Sequence, residues 1–221
     1  MNPKIPGSDK RGHSHPIFAR LWVHMAEAGE RKGTSPYRDR LLEGLEGEVV
    51  EVGAGSGTNF LHYPDSVTKV VAVEPEPYLR ARAASAARAA GVPIEVVEGS
   101  AEHIPLPPAS VDAAVVSLVL CSVADQAESL AEIARVLRPA GELRYFEHVR
   151  AATASLARLQ DALDVVWPKL GAGCHPNRDT EAAITRAGFE VTGSAHSALD
   201  APLIAKPVSF VVVGRAVWPG G

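Results

Sequence analysis

The 221-residue chain carries a net charge of −4 and is 46% hydrophobic, so it is long enough to form one domain with a buried core. Its 22 basic residues form no long run, which disfavours nucleic acid as a partner. No apolar stretch approaches the ~20 residues that an integral membrane helix needs, and residues 1–16 do not resemble a signal peptide. The two widely separated cysteines, Cys121 and Cys174, favour a reducing, cytoplasmic compartment and argue against a disulfide framework or a zinc cluster.

The start of the chain is predicted to be a flexible tail at residues 1–15 followed by an N-terminal helical lid at residues 16–45. Apolar residues within the lid recur at the spacing of one helix face. A break at residues 33–36 contains glycine and proline, and it is a predicted hinge for closure of the lid. Residues 46–221 are predicted to form one α/β domain.

Strand-like apolar runs alternate with helix-like stretches in this domain, which is typical of α/β folds with a parallel sheet. The predicted strands are residues 48–52, 69–73, 94–97, 111–116, 142–146, 189–192 and 209–213. One helix is predicted from residue 58, and others over residues 79–90, 126–137, 153–170 and 179–187. Right-handed crossovers make this a seven-stranded, doubly wound, mostly parallel sheet that ends in an antiparallel pair. A ligand then binds at the carboxyl ends of the strands, beside the first strand.

The most informative motif is the turn EVGAGSG at residues 51–57, directly after the first strand. Glycine permits positive φ and lets a ligand approach the backbone closely. Glu74 ends the second strand, where an acid can accept hydrogen bonds from both hydroxyls of a ribose. A nicotinamide dinucleotide prefers the pattern GxGxxG, but Gly57 comes one residue too early for it. The acid Glu51 can hold an ammonium group, so the pattern favours S-adenosylmethionine, which has an ammonium and no pyrophosphate.

The turn resembles motif I of the class I S-adenosylmethionine-dependent methyltransferases. Four further segments are similar to parts of that family. VAVE at 71–74 resembles the strand that supplies the ribose-binding acid, and GSAEHIP at 99–105 resembles the loop beside the adenine. VDAAVVSLVLCSV at 111–123 resembles strand four and the surface under the methionine portion, and RVLRPAGEL at 135–143 resembles the crossover into strand five. The resemblance covers about residues 48–149 and implies a Rossmann-like methyltransferase fold. It also implies S-adenosyl-L-methionine as cofactor and S-adenosyl-L-homocysteine as product.

The motifs and this resemblance together point to a set of cofactor-binding residues in the strand ends and their loops. Ser100 stands where the family often has Asp, so an Asp contact with the adenine is not implied. The predicted set is Glu51, Gly53, Ala54, Gly55, Gly57, Asn59, Glu74, Pro75, Ser100, Ala101, Glu102, Ser117 and Leu118.

The expected acceptor is a small molecule. Residues 117–122 read SLVLCS, where enzymes that methylate amide or base nitrogens commonly carry an NPPY-like stretch. Several segments are instead similar to the methyltransferase-like alkyl thiol S-methyltransferases and their bacterial relatives: GTNFLHYP at 57–64, LVLCSV at 118–123, EHV at 147–149 and GCHPNRDT at 173–180. This resemblance implies methyl transfer to a small, fairly apolar thiol. The animal members begin with a membrane-anchoring segment that this chain does not show, so membrane residence is not carried over.

A free thiol with a pKa of about 8.5 is only a few per cent ionised at neutral pH, so a nearby base helps its methylation. His148, just past the fifth strand, is the predicted catalytic base. The predicted substrate pocket contains Tyr37, Cys121, Glu147, Trp167, Cys174 and His175. Core packing remains an alternative for both aromatic residues and both cysteines. No metal is predicted, because His13 and His15 have no further ligands beside them.

Three alternatives remain open from the sequence. One is an O- or C-methyltransferase that acts on a phenolic or quinone-like metabolite. The others are a nicotinamide-dependent oxidoreductase, which the glycine spacing disfavours, and a cofactor-binding protein without catalysis. The oligomeric state is not determined by any pattern in the chain.

Overall fold

The computed structural model describes residues 33–171, 173–199 and 203–220. The predicted tail, the first half of the predicted lid, His13 and His15 lie outside the described residues. The strands are β1 (Gly47–Val52), β2 (Val67–Val73), β3 (Ile94–Val97), β4 (Val111–Ser117), β5 (Leu137–His148), β6 (Glu190–Ala198) and β7 (Phe210–Val217). The helices are α1 (Ser35–Leu42), α2 (Pro77–Ala87), α3 (Gln126–Val136), α4 (Ala154–Leu163), α5 (Trp167–Leu170) and α6 (Thr180–Arg186), with 3₁₀ helices at Phe60–His62 and Leu203–Val208.

The seven strands form one sheet in the order β3-β2-β1-β4-β5-β7-β6. Strands β1 to β5 pair in parallel, whereas β7 runs antiparallel to both β5 and β6. The chain winds outward from β1 to β3 and then returns to place β4 beside β1, which creates a switch point between these two strands. The predicted doubly wound, mostly parallel sheet with a final antiparallel pair is confirmed.

Helices cover both faces of this sheet. Val50 and Val52 of β1 pack in the layer that contains α3 and α6, whereas Val49 packs in the layer that contains α1 and α2. Successive side chains of a strand point to opposite faces of the sheet. A strand in a parallel sheet that has helices on both faces is therefore apolar at nearly every position. The run GEVVEV of β1 breaks this rule at Glu51, which is buried among apolar neighbours. A buried acid in a central strand is a candidate functional group.

Two predicted helices are wrong. The helix expected from residue 58 is only the three-residue 3₁₀ helix Phe60–His62, because Tyr63 precedes a proline and takes an extended conformation with ψ of 130°. The helix expected over residues 153–170 is two helices, α4 and α5. Pro168 stands in the first turn of α5, where its missing N–H is tolerated, but it cannot continue a helix from α4.

The strands β5, β6 and β7 are longer than the apolar runs that predicted them. The whole of β6 is exposed or half-buried, because it is the edge strand of the sheet. Its residues pair with β7 through the backbone hydrogen bonds of the ladder, which hydrophobic patterning does not reveal. Within the described residues, no helix combines the length and apolar character that crossing a bilayer requires.

Packing between neighbouring strands is tight at Gly214 of β7, which lies opposite Tyr145 of β5. A Cβ at position 214 would overlap the ring and hydroxyl of Tyr145. Tyr145 is fully buried and donates a hydrogen bond to Glu181 of α6 at 2.9 Å, so the ring has little freedom to move. This contact joins the antiparallel end of the sheet to its parallel part.

We expect Gly214→Ala to lower the free energy of unfolding by about 1–3 kcal/mol, as overpacking of a filled core does. Urea denaturation followed by circular dichroism measures the change. The matched control is Gly193→Ala on β6, whose added Cβ would lie 3.5 Å from Arg215 Nε in ordinary contact. Equal stability of the two variants would contradict this account of the β5–β7 packing.

Candidate active site

A cavity of about 630 Å³ opens at the carboxyl ends of β1, β2 and β4. This volume is within the range of pockets that bind small molecules and cofactors. All of the predicted cofactor-binding residues except Gly57 line it. So do five residues predicted for catalysis or the substrate pocket, namely Cys121, His148, Trp167, Cys174 and His175. Tyr37 and Glu147 are not among the lining residues.

The glycine turn has the left-handed backbone that its sequence suggests. Gly53, Gly55 and Gly57 have φ values of 69°, 58° and 84°. A Cβ at Gly53 would lie 2.6 Å from the side chain of Val119, in the loop after β4. A Cβ at Gly57 would lie 2.6 Å from the ring of Phe60, so this last glycine allows close packing behind the turn. The contacts of Gly57 are therefore structural, and those of Gly53 and Gly55 lie at the cavity.

Glu74 lies at the end of β2 with only 4% of its surface exposed. Its Oε2 accepts a hydrogen bond from the backbone N–H of Gly55 at 2.8 Å, and its Oε1 accepts one from the N–H of Glu76 at 2.9 Å. Burial raises the pKa of Glu74, and these two backbone donors oppose the shift. Each of these oxygens can accept a further hydrogen bond from a ligand in the cavity. The carboxylate is thus held in place before any ligand arrives.

Glu51 is 2% exposed and lies on the floor of the cavity. Asn59 Nδ2 donates to its Oε1 at 2.8 Å, and the Tyr63 hydroxyl donates to its Oε2 at 2.7 Å. Arg38 of α1 donates to Asn59 Oδ1 at 2.5 Å and to Ser117 Oγ at 3.3 Å. Burial raises the pKa of Glu51 to about 7, against the lowering effect of Tyr63, Asn59 and Arg38.

Arg38 and Tyr63 were not predicted from the sequence as site residues. A signal for Arg38 exists, because it lies three and four residues before Leu41 and Leu42 and therefore shares their buried helix face. A buried arginine on such a face requires a polar partner, which here is the Asn59–Glu51 pair. Tyr63 has no comparable signal, because the 3₁₀ turn that brings it under β1 was expected to be a helix.

The loop after β4 is shaped by Glu147, which is completely buried near the end of β5. Its carboxylate accepts hydrogen bonds from the backbone N–H groups of Val119, Leu120 and Cys121 at 2.9, 3.0 and 3.0 Å. Burial raises the pKa of Glu147, and the three donors oppose this shift. Leu118 begins the loop with φ of 61°, a conformation that costs an L-residue about 1–2 kcal/mol. Glu147 therefore supports the cavity wall from behind instead of facing a substrate.

Two sulfur atoms and one imidazole nitrogen meet in this wall. The Sγ atoms of Cys121 and Cys174 are 3.7 Å apart, and His148 Nδ1 lies 3.9 Å and 3.5 Å from them respectively. We call these three residues the sulfur–imidazole cluster. The hydrogen bond with Cys174 and burial both raise the pKa of the Cys121 thiol. The separation of the two cysteines along the chain does not reveal that they are neighbours.

The remaining predicted pocket residues have different surroundings. The Tyr37 ring is half-buried, stacks on Phe146 with centroids 5.4 Å apart and packs against the core, in line with the alternative interpretation of this residue. Trp167 is half-buried at the cavity. His175 Nδ1 lies 2.9 Å from an oxygen of Asp164, and its backbone N–H donates to Cys121 O at 2.7 Å. The hydrogen bond from the His175 backbone connects the two cysteine segments.

Comparison with known proteins agrees with this geometry. Residues 50–145 match the family model of a methyltransferase domain. The chain is 36% identical over 179 residues to the thiol S-methyltransferase TMT1B of Rattus norvegicus, covering 78% of this chain and 72% of that protein. It is 35% identical over 173 residues to the thiol S-methyltransferase TMT1A of Homo sapiens, covering 76% and 70%.

The chain belongs to the S-adenosylmethionine-dependent methyltransferase family that includes these TMT1 proteins. The fold agrees with this. A solved S-adenosylmethionine-dependent methyltransferase from Thermotoga maritima superposes with a TM-score of 0.65 at 22% identity, covering 91% of this chain and 98% of that one. The protein is therefore an S-adenosylmethionine-dependent methyltransferase with a Rossmann-like sheet, and the cavity lies where such sheets bind their ligands.

The stability of the loop after β4 should depend on the negative charge of Glu147. We expect Glu147→Gln to lower the free energy of unfolding by about 1–3 kcal/mol, because the new NH₂ group faces a backbone N–H that has lost its acceptor. Urea denaturation measures this loss. The exposed Glu190→Gln on β6 is the matched control, since it removes the same charge without a buried partner. If both variants unfold at the same urea concentration, Glu147 does not support the loop.

Proposed function

We propose that the protein transfers the methyl group of S-adenosylmethionine to the sulfur of a small, largely apolar thiol. The observation that carries this proposal is the position of His148, which shares one cavity with the glycine turn and Glu74. The similarity of the chain to the thiol S-methyltransferases TMT1B and TMT1A supports the same acceptor class. A small molecule fits a cavity of this size, and the chain carries no basic run that would favour nucleic acid.

The residues at the strand ends fit the cofactor part by part. We assign the ribose hydroxyls to Glu74, whose oxygens are already oriented by two backbone donors. We assign the cofactor ammonium to Glu51 and its partner Asn59, because a buried carboxyl with a pKa near 7 gains most from a neighbouring cation. The turn Gly53, Ala54 and Gly55 lets the ligand approach the backbone. Pro75, Ser100, Ala101 and Glu102 are assigned to the adenosine end, and Ser117 and Leu118 to the methionine end.

Bound S-adenosylmethionine supplies a methyl carbon that is already activated by its sulfonium charge. The protein must then hold the acceptor sulfur in line with that carbon and keep water away. The cavity wall formed by the loop after β4 can exclude water, because Leu118, Val119 and Val123 present apolar surface to the cavity. Trp167 lies in the same cavity and is assigned to the acceptor.

The acceptor must also lose its proton. A thiol with a pKa of about 8.5 is only a few per cent ionised at pH 7, and the thiolate is the nucleophile. We assign the promotion of this ionisation to His148, which reaches the cavity from the end of β5. His175 and Cys174 come from the segment opposite and complete this side of the pocket.

We further propose that residues 16–45 cover the cavity as a lid and that residues 46–221 form the methyltransferase domain. Support comes from α1, where Arg38 donates hydrogen bonds to both Asn59 and Ser117, two of the proposed cofactor-binding residues. Closure of this segment would exclude water from the methyl group. A cytoplasmic location remains a prediction.

Matched acceptors test the choice of nucleophile. We expect benzyl mercaptan to give its methyl thioether with the purified protein and S-adenosylmethionine, whereas benzyl alcohol and phenol give no product. Mass spectrometry of the products, with reactions lacking protein as the blank, makes the comparison. Formation of anisole from phenol without any thioether would overturn the thiol acceptor in favour of O-methylation.

Cofactor affinity should depend on pH through Glu51. Below pH 7 this carboxyl is protonated in the free protein, because burial raises its pKa to about 7. It attracts an ammonium only when ionised, so S-adenosylhomocysteine should bind more tightly as the pH rises from 6 to 8. The charged and titratable groups around it are Arg38, Tyr63 and Glu74, and Glu51→Gln leaves these three residues in place.

Calorimetric titration at pH 6, 7 and 8 measures this dependence. We expect Glu51→Gln to bind about tenfold or more weakly at pH 8, which corresponds to roughly 1.4 kcal/mol, and to show almost no change with pH. Circular dichroism of the variant controls for folding. A pH dependence that survives in Glu51→Gln would show that another group binds the ammonium.

A further inference from the structure

We propose that Cys121, Cys174 and His148 bind a zinc ion in the cavity wall, and that its open fourth position binds the acceptor as a thiolate. This inference rests on the proposed thiol methylation and names the group that ionises the acceptor. It also changes the part played by His148, which becomes a metal ligand through Nδ1 instead of a free base.

The three donor atoms have the spacing of a tetrahedral zinc site. With Zn–S of about 2.3 Å and Zn–N of about 2.0–2.1 Å, tetrahedral angles place two sulfurs about 3.8 Å apart and sulfur about 3.5–3.6 Å from nitrogen. The sulfur–imidazole cluster has distances of 3.7 Å between its sulfurs and 3.5 and 3.9 Å from sulfur to nitrogen. The sulfurs are too far apart for a disulfide, whose S–S bond is about 2.05 Å.

The chain holds these ligands through contacts that do not depend on a metal. Glu147 accepts the N–H of Cys121 at 3.0 Å and directly precedes His148 in β5. The N–H of His175, the residue after Cys174, donates to Cys121 O at 2.7 Å. These two hydrogen bonds connect the segment of Cys121 to the segments of His148 and Cys174, which are distant from it in the sequence. Rigid support of this kind is what a preorganised metal site requires.

The site has three protein ligands and one open side. Among the described residues, no further His, Cys, Asp or Glu joins these three as a possible ligand. All three line the cavity that holds the proposed cofactor residues, so an incoming sulfur can reach the fourth position from the cavity. Structural zinc sites have four protein ligands, whereas sites with three leave one position for water or substrate.

The chemistry balances without any change in oxidation state. On binding, the acceptor thiol releases its proton to solvent, and its sulfur takes the fourth position as a thiolate. A new bond then forms between this sulfur and the methyl carbon. The bond from that carbon to the sulfonium sulfur breaks, and its electron pair remains on the S-adenosylhomocysteine product. The neutral thioether is a weaker ligand than a thiolate, so it leaves and frees the position.

Metal content gives the first test. We expect about one zinc ion per chain, by elemental analysis, in protein purified without an affinity tag, in line with a Cys₂His site. Cys174→Ser and His148→Ala should lose the ion, and His175→Gln, beside Cys174 but outside the cluster, should retain it. If the unaltered chain binds no zinc even after incubation with the ion, the proposal is overturned.

The open position is tested with cobalt, whose visible spectrum reports on its ligands. We expect the Co²⁺-substituted protein to show sulfur-to-metal charge transfer and a tetrahedral band pattern that shifts when benzyl mercaptan is added alone. A spectrum that does not respond to the thiol would overturn the proposed fourth ligand. Because this measurement needs no turnover, it is independent of the methyltransferase assay.

Removal of zinc from the unaltered protein separates the two proposals. We expect a chelator to slow methylation of benzyl mercaptan by roughly tenfold to thirtyfold at pH 7, since only ~3% of a free thiol is ionised there, and stoichiometric zinc to restore it. Affinity for S-adenosylhomocysteine should stay unchanged. Full thiol methylation by the metal-free protein would overturn the zinc role and leave the proposed function intact. A zinc-loaded protein that methylates only phenol would overturn the thiol acceptor itself.

Discussion

The cavity depends above all on one buried carboxylate. Glu147 is completely inaccessible, and its negative charge is stabilised by three backbone N–H groups from the loop after β4. Hydrogen bonds to a charged acceptor contribute about 1.5–3 kcal/mol each, which offsets much of the cost of removing the charge from water. The same contacts bind β5 to the end of β4 and support a loop that begins with a left-handed Leu118. Without this anchor, the wall between the cofactor and acceptor sides would have no fixed position.

The position of that loop explains why the glycine turn and the sulfur–imidazole cluster form one site. Val119 packs so closely over Gly53 that any side chain there would displace it, which places the loop against the proposed cofactor cradle. Two residues later, Cys121 faces Cys174 and His148. The loop therefore has the cofactor turn on one side and the cluster on the other. Methyl donor and acceptor can meet only if these two sides have a constant separation, and a fixed loop provides it.

The convergence of the proposed cofactor residues on one cavity was largely predictable, because they follow strands at a spacing that parallel sheets impose. Once β1 and β2 are recognised, their carboxyl ends lie side by side, so Glu51 and Glu74 must approach the same cavity. The acceptor side was less predictable. Cys121 and Cys174 come together through the path of residues 149–171 and 173–175, where one expected helix is divided between Leu163 and Trp167. Arg38 and Tyr63 reach Glu51 through α1 and a 3₁₀ turn, whose docking no periodicity specifies.

The sequence by itself determined the seven-stranded sheet, the glycine turn and the acid at the end of β2, because local patterns of apolar and glycine residues encode them. It also determined the membership of the methyltransferase family, through motifs in order along the chain. Only the tertiary structure decided that Glu147 lies behind the wall, that Tyr37 packs against the core, and that two distant cysteines and one histidine converge within 3.9 Å. Those relations join residues far apart in sequence, and they exist only after the whole sheet has formed and its loops have packed on one another.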